Sequence, residues 1–180
     1  MKTYNLESTI SHNLQRNITY RKSTIADAEQ IVKWRNQENI YKWFINRRTI
    51  TLQEHINWFN NNVLNEKVIQ FIFSADEKDI GVFSFGELNY IDKNCEYEIY
   101  IGEQDFFGKG IGTLVTKSAL KIAFNELNMH KVYLRVYSEN IGAVKAYRNS
   151  GFTVEGVLKE QVFINNKYFD IIMMSVINEV

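Results

Sequence analysis

The chain has 180 residues, of which 45% are hydrophobic, 14% aromatic and 23% charged, the proportions of one folded domain and not of a disordered segment. Its 21 Lys+Arg balance 21 Asp+Glu, and neither end carries a basic block, which argues against a dedicated nucleic-acid or polybasic membrane binder. The single cysteine, Cys95, leaves no internal disulfide to form and fits a reducing compartment; proline is absent where about nine would be usual.

No apolar run reaches the length of a membrane helix. Residues 1–17 are polar and lack the apolar core of a signal peptide. They read as an N-terminal extension before a single domain over 18–180, and a cytoplasmic location is expected.

In chain order, residues 18–22 read as a strand, and Thr24 with Asp27 three residues on has capping-box spacing. Ala28, Ile31, Val32 and Arg35 follow at helical spacing, giving a helix to about Asn36. Residues 37–50 are irregular and aromatic. Thr51 caps a second helix with Leu52, His55, Ile56 and Phe59 on one face. Residues 68–74 and 80–88 form a hairpin across a turn at 75–79, and 95–101 is a further strand. A glycine-rich turn at 108–112 opens a helix to about Leu127, with Thr116, Leu120, Ala123 and Leu127 as its inner stripe. Residues 131–138 alternate as a strand, and Asn140 starts a short helix to Ser150, with Gly151 in the C′ position. Strands at 152–158 and 168–176 close the chain through a turn at 165–167. The strand–helix–strand unit from 95 to 138 implies one parallel pair within a mostly antiparallel sheet. The apolar run 171–174 is either core or a strand edge available for a homodimer contact.

Chemistry concentrates in two places. Gly108, Gly110 and Gly112 lie between a strand and a helix. There the backbone can approach a ligand, and the first helical N–H groups together with the helix dipole suit a pyrophosphate; an ordinary tight turn has the same glycines. Neither the Walker nor the dinucleotide glycine spacing is present. The second place is 140–152, where Ala143, Ala146 and Tyr147 share a helical face narrow enough for a slender ligand.

These two segments together resemble the acetyl-CoA-binding half of the GNAT N-acetyltransferases, and the element order extends the resemblance over 18–176. The resemblance implies an α+β fold of three α/β/α layers, with a mixed, mostly antiparallel sheet and a splayed central parallel strand pair. It implies acetyl-CoA as cosubstrate. Backbone N–H groups of Phe107, Gly108, Lys109, Gly110, Ile111, Gly112 and Thr113 would hold the pyrophosphate. Tyr100 and Ile101 match the strand end that bonds the pantetheine arm, Asn140 the asparagine that also bonds it, Ala143 lies on the face along it, and Tyr147 matches the tyrosine near the sulfur. Phe107 stands where many members have Arg or Gln, and Gln104 stands in a loop that often carries proline.

Acetyl transfer to an amine needs a neutral nitrogen, a polarised thioester and a proton for the leaving thiolate. Tyr147 is the expected general acid. Glu96 and Glu98 share one strand face; either is a candidate for the amine proton, Glu98 being nearer the expected strand break. A strand-end N–H near Ile101 would polarise the carbonyl. His12, His55 and His130 show no ligand spacing, and no metal site is expected. His130 and Cys95 read as structural.

The acceptor is expected to be a small-molecule amine. Residues 39–53 hold Lys42, Arg47 and Arg48 with no acidic residue, beside Tyr41, Trp43 and Phe44. Cations next to aromatics suit a phosphorylated ligand with a ring to stack, and do not suit a polyamine. Arg35, Trp43, Arg47, Arg48 and His55 are the expected acceptor-binding residues. The runs Trp34-Arg35-Asn36, His55-x-x-Trp58-Phe59 and Ile99-Tyr100-Ile101-Gly102 resemble the branch that acetylates the 4-amino group of a UDP-linked amino-dideoxy sugar in pseudaminic acid biosynthesis. The branch that acetylates ribosomal-protein N-termini shares some of them, polyamine or antibiotic acetylation is a third reading, and a non-catalytic acyl-CoA-binding module is the alternative outside enzymes.

Overall fold

The computed structural model describes residues 4–5, 17–44 and 46–179. The elements are β1 (Tyr4–Asn5), β2 (Ile18–Lys22), α1 (Ala28–Arg35), α2 (Glu38–Tyr41), α3 (Leu52–Asn62), β3 (Ile69–Ala75), β4 (Lys78–Asn89), β5 (Asn94–Ile101), α4 (Ile111–Lys121), β6 (Lys131–Tyr137), α5 (Ile141–Asn149), β7 (Thr153–Ile164) and β8 (Lys167–Ile177). They fall into two units, Met1–Ser84 with Ile99–Phe107, and Phe85–Glu98 with Gly108–Val180. Of the expected N-terminal extension, Tyr4 and Asn5 pair antiparallel with Tyr20 and Thr19; His12 lies outside the described residues.

In the first unit the strands run β1-β2-β3-β4-β5. The core forms where Ile31 and Trp34 of α1 meet Ile72 and Val82, with Tyr100 packed alongside. The turn before α1 is held by Asp27. Its carboxylate accepts the Thr24 N–H at 2.7 Å and both Arg21 terminal nitrogens at 2.9 and 2.7 Å. Arg21 also reaches Asp79 at 2.8 Å. The cap expected at Thr51 is present and proves to be a full capping box: Thr51 N–H donates to Glu54 Oε2 at 2.7 Å, and Glu54 N–H to Thr51 Oγ1 at 3.2 Å.

Three sequence expectations change here. Residues 38–41 form a single helical turn, too short to show periodicity, that buries Ile40. Leu52 does not join the inner face of α3, because it sits in the first turn and is 37% exposed, while His55 and Phe59 are buried. The β3–β4 turn is tighter than read: Asp76 and Glu77 carry it at φ 51 and 67, left-handed conformations for which Asn-Gly is the usual signal.

In the second unit the order is β4-β5-β6-β8-β7. β5 and β6 are the parallel pair, in register at Asn94↔Lys131, Cys95↔Val132 and Glu96↔Tyr133. Beyond Glu96 the register stops, although β5 continues to Ile101; this is the expected splay. β6 keeps its antiparallel register with β8 from Lys131 to Tyr137. Residues 171–174 therefore lie in β8, between β6 and β7, and are no strand edge. The edge is β7, whose register is interrupted between Val154 and Gly156 and between Leu158 and Val162, irregularities that blunt an open edge.

α4 continues into a wider π turn over Ile122–Glu126. That turn advances the helical phase, so Ile122 and Met129 are buried and Leu127, expected on the inner stripe, is only half-buried.

Candidate active site

The donor-side residues cluster in the second unit. Gly108 and Gly110 have φ 71 and 76, and a Cβ on either would meet nothing within 4 Å. Backbone in that conformation favours glycine, and the open side leaves room for a ligand. Gly110 is the N-cap of α4 and offers no side chain to the helix start, so the first N–H groups of α4 have no intrahelical partner and face the loop's opening. The glycine turn thus fits an anion. Phe107 does not join it: its N–H donates to Gln104 O at 3.0 Å, and the expected role of that N–H in the phosphate cradle is corrected.

α4 and α5 are tied at this end. Gly112 sits 4.0 Å (from an added Cβ) from Ala146 Cβ, Thr113 Oγ1 donates to Ala146 O at 3.5 Å, and Ser150 Oγ donates to Thr113 O at 3.3 Å. At the start of α5, Asn140 Oδ1 accepts the Ala143 N–H at 3.3 Å. This engages one lone pair of the carboxamide oxygen as the cap and leaves the NH₂ to face a ligand. At the other end, Phe152 N–H donates to Tyr147 O at 3.1 Å and Gly151 N–H to Arg148 O at 3.1 Å, with Gly151 at φ 102. This is a Schellman ending, and its accompanying apolar contact is Phe152 against the Tyr147 ring, centroids 5.7 Å apart. The helix terminus therefore sets the Tyr147 ring.

Tyr147 is 8% exposed. Burial first, and the Glu98 carboxylate second, push its hydroxyl above the usual phenol range, so it holds its proton at neutral pH. Tyr97, which the sequence reading passed over, lies close by. It is buried, its hydroxyl is 3.2 Å from Thr116 Oγ1, and burial raises it well above the usual phenol range.

The paired glutamates separate in role. Glu96 is 7% exposed, and both its oxygens accept from Arg135, Nε–Oε1 at 2.7 Å and NH2–Oε2 at 2.9 Å. A carboxylate held in a bidentate pair is poorly placed to take a proton, which counts against Glu96 as the base. Glu98 is exposed, beyond the last residue of β5 that pairs with β6. Arg135 carried no signal in the sequence, because its partner is 39 residues away.

In the first unit, Tyr100 packs its ring edge-on to Phe44, centroids 5.5 Å apart, and Ile101 closes β5 half-buried. The loop after it is clamped without proline. Trp34 Nε1 donates to Glu103 Oε1 at 2.9 Å, Gln37 Nε2 to Gly102 O at 2.9 Å, and Gln104 Nε2 to Gln37 Oε1 at 3.2 Å; Lys78 also pairs with Glu103. Gln104 itself begins a short helical turn to Phe106.

The expected acceptor-binding residues lie in this unit, and the structure assigns them different surroundings. Arg35 is 9% exposed, donates to Asn46 O at 2.7 Å and Arg48 O at 3.5 Å, and lies 3.7 Å over the Phe44 ring. It shapes the segment from within, and its expected acceptor contact is corrected. Arg48 pairs with Glu54 at 2.7 Å on the surface. Arg47 Nε donates to Lys42 O at 3.1 Å, and partial burial lowers its pKa from the usual guanidinium value. Lys42 Nζ lies 5.2 Å from the Trp43 ring centroid, and Trp43 is 36% exposed. His55 is 4% exposed and stacks on Trp58 at 5.6 Å; its buried Nε2 has no hydrogen-bond partner, and burial lowers its pKa. Cys95 is fully buried, its thiol pushed up to about 12 by burial.

Mixed sheet, splayed parallel pair and glycine turn into α4 are the architecture of an acyl-CoA-dependent transferase. A model of the acetyltransferase (GNAT) domain matches residues 17–153, and the chain belongs to that family. It is similar to spermidine N(1)-acetyltransferase of Vibrio cholerae, 31% identical over 89% of this chain and 92% of that protein. It is also similar to acetyltransferase PseH of Campylobacter jejuni, 31% identical over 69% of this chain and 75% of that one. The crystal structure of the Vibrio cholerae spermidine N-acetyltransferase with CoA and spermine superposes with TM-score 0.83, at 31% identity, covering 89% of this chain and 95% of that one. The protein is an acetyl-CoA-dependent N-acetyltransferase. Among the described residues, no helix is long and apolar enough to cross a membrane.

Proposed function

We propose that the acceptor is a primary amine on a nucleotide-linked sugar. The observation that carries this is the segment 39–53: Lys42, Arg47 and Arg48 with no carboxylate in it, beside a partly exposed Trp43. The Lys42–Trp43 contact leaves an aromatic and a cation at one place, the pairing that suits a base or ring with a phosphate attached. Glu54 is matched by Arg48 and Glu103 by Lys78, which leaves Glu38, beside Lys42 in the same cleft, as a carboxylate that a polycation would meet. The second reading is a polyamine acceptor, favoured by the likeness over 89% of the chain to a protein named as a spermidine acetyltransferase.

In this reading the chemistry divides among the chain's own residues. Acetyl-CoA supplies the thioester. The main-chain N–H groups of 108–113, without that of Phe107, hold its phosphates, and Asn140 and the face of Ala143 guide its arm. Glu98 takes the proton from the incoming ammonium, directly or through water. The neutral nitrogen attacks the carbonyl carbon, a C–N bond forms and the C–S bond breaks, and the second proton lost by the nitrogen passes through water to replace the one Tyr147 gives up. Tyr147 O–H, protonated at neutral pH, donates to the departing thiolate.

The test is a CoA-release screen of UDP-linked amino sugars, the matching free amino sugars, ribosomal-protein N-terminal peptides and spermidine. The expected result is turnover of a UDP-linked amine with a kcat/KM at least about tenfold above its free form, and a similar rise in its KM in Arg47→Ala. Equal activity on the free and UDP-linked amine, or a preference for spermidine, overturns the reading.

A further inference from the structure

We infer that Arg135 is a positioning residue for acetyl-CoA. Its pair with Glu96 is a side-chain clamp across the fork of β5 and β6. The backbone register of these strands ends at Glu96↔Tyr133. β6 stays in register with β8 as far as Tyr137, and β5 remains the hydrogen-bonded neighbour of β4, so the fork opens between β5 and β6. Arg135 stands two residues past Tyr133 on the same face of β6, just where the ladder no longer ties the strands together. Its guanidinium meets the Glu96 carboxylate at 2.7 and 2.9 Å. A bidentate contact fixes both separation and angle, which a single bond does not. Glu96's side chain is 9% accessible and that of Arg135 42%, so solvent screens the pair from the arginine side, and loss of the arginine leaves a buried carboxylate without a partner. The clamp sets how wide the two strands stand at the root of the splay.

The inference rests on the reading that the pantetheine arm enters this gap. The experiment measures CoA binding by calorimetry, kinetics and thermal unfolding for the wild type, Arg135→Met, Arg135→Lys, the double variant Glu96→Leu with Arg135→Met, and Asn140→Ala. Arg135→Met is expected to weaken CoA binding about tenfold or more, with kcat at saturating acetyl-CoA within about threefold of wild type. Arg135→Lys recovers part of the affinity through one charged contact. The apolar double variant recovers thermal stability but not affinity, because it removes the buried charge without restoring the bidentate tie. CoA affinity within about twofold of wild type in Arg135→Met, or affinity returning together with stability in the double variant, overturns the clamp. If Asn140→Ala alone weakens binding, the clamp fails and the path of the arm stands. If neither Asn140→Ala nor Arg135→Met weakens it, the path itself is wrong.

Discussion

A single methyl group at Gly102 probes how the loop before the glycine turn is held. A Cβ there would lie 2.2 Å from Trp34 Cγ and 2.3 and 2.4 Å from Cδ2 and Cδ1, against roughly 3.5–4.0 Å for ordinary carbon contacts. The indole cannot retreat cheaply, being 1% exposed and donating from Nε1 to Glu103 at 2.9 Å. Overpacking of this kind costs about 1–3 kcal/mol, and loss of a hydrogen bond to a carboxylate adds about 1.5–3 kcal/mol. Gly102→Ala is therefore expected to destabilise the protein by about 2.5–6 kcal/mol, a fall in Tm of roughly 5–24 °C at 2–4 °C per kcal/mol for a chain of this length. Gly142→Ala is the control: an added Cβ there meets nothing within 4 Å in α5, and Tm should hold or rise slightly. Thermal unfolding followed by circular dichroism reads both. A Gly102→Ala Tm within about 2 °C of wild type would show that Trp34 is not the rigid wall described above.

Tyr147→Phe should lower kcat by about a hundredfold while CoA affinity changes less than about threefold; a fully active variant removes the general-acid role. Cys95, buried with its thiol pushed up to about 12, should resist alkylation at pH 8 in the native protein and react once unfolded; rapid native labelling would contradict its placement in β5. Burial lowers the His55 pKa, so as pH falls below the usual imidazole value of about 6.5 the unfolded chain takes up a proton that the folded one refuses. Stability is then lost progressively until the folded pKa is reached, and His55→Phe should flatten the Tm-versus-pH curve over that range. An unchanged slope would mean that His55 is charged in the folded state.

Legibility followed the range of the interaction. The Thr51 cap, the Asn140 cap and the Gly151 ending were readable because each joins groups within a few residues, and the same is true of the glycine turn into α4. Arg35 was read as a ligand contact because sequence shows a charge but not its direction, and folding turns it onto the carbonyls of 46 and 48. Glu96 and Glu98 looked equivalent until Arg135, 39 residues away, occupied one of them. Leu127 was misplaced because one widened turn shifts a helix's phase without changing its composition.

The zero proline count raised the question of what stiffens the loop at Gln104, and only the tertiary structure answers it. The Trp34–Glu103, Gln37–Gly102 and Gln104–Gln37 bonds span 69, 65 and 67 residues. The linear chain by itself determined the family, the donor-side turn and the surplus of cations over 39–53, because these are local arrangements of backbone and charge. Which cations stay matched, which glutamate is engaged and how the splayed strands are held apart depend on partners that meet only on folding.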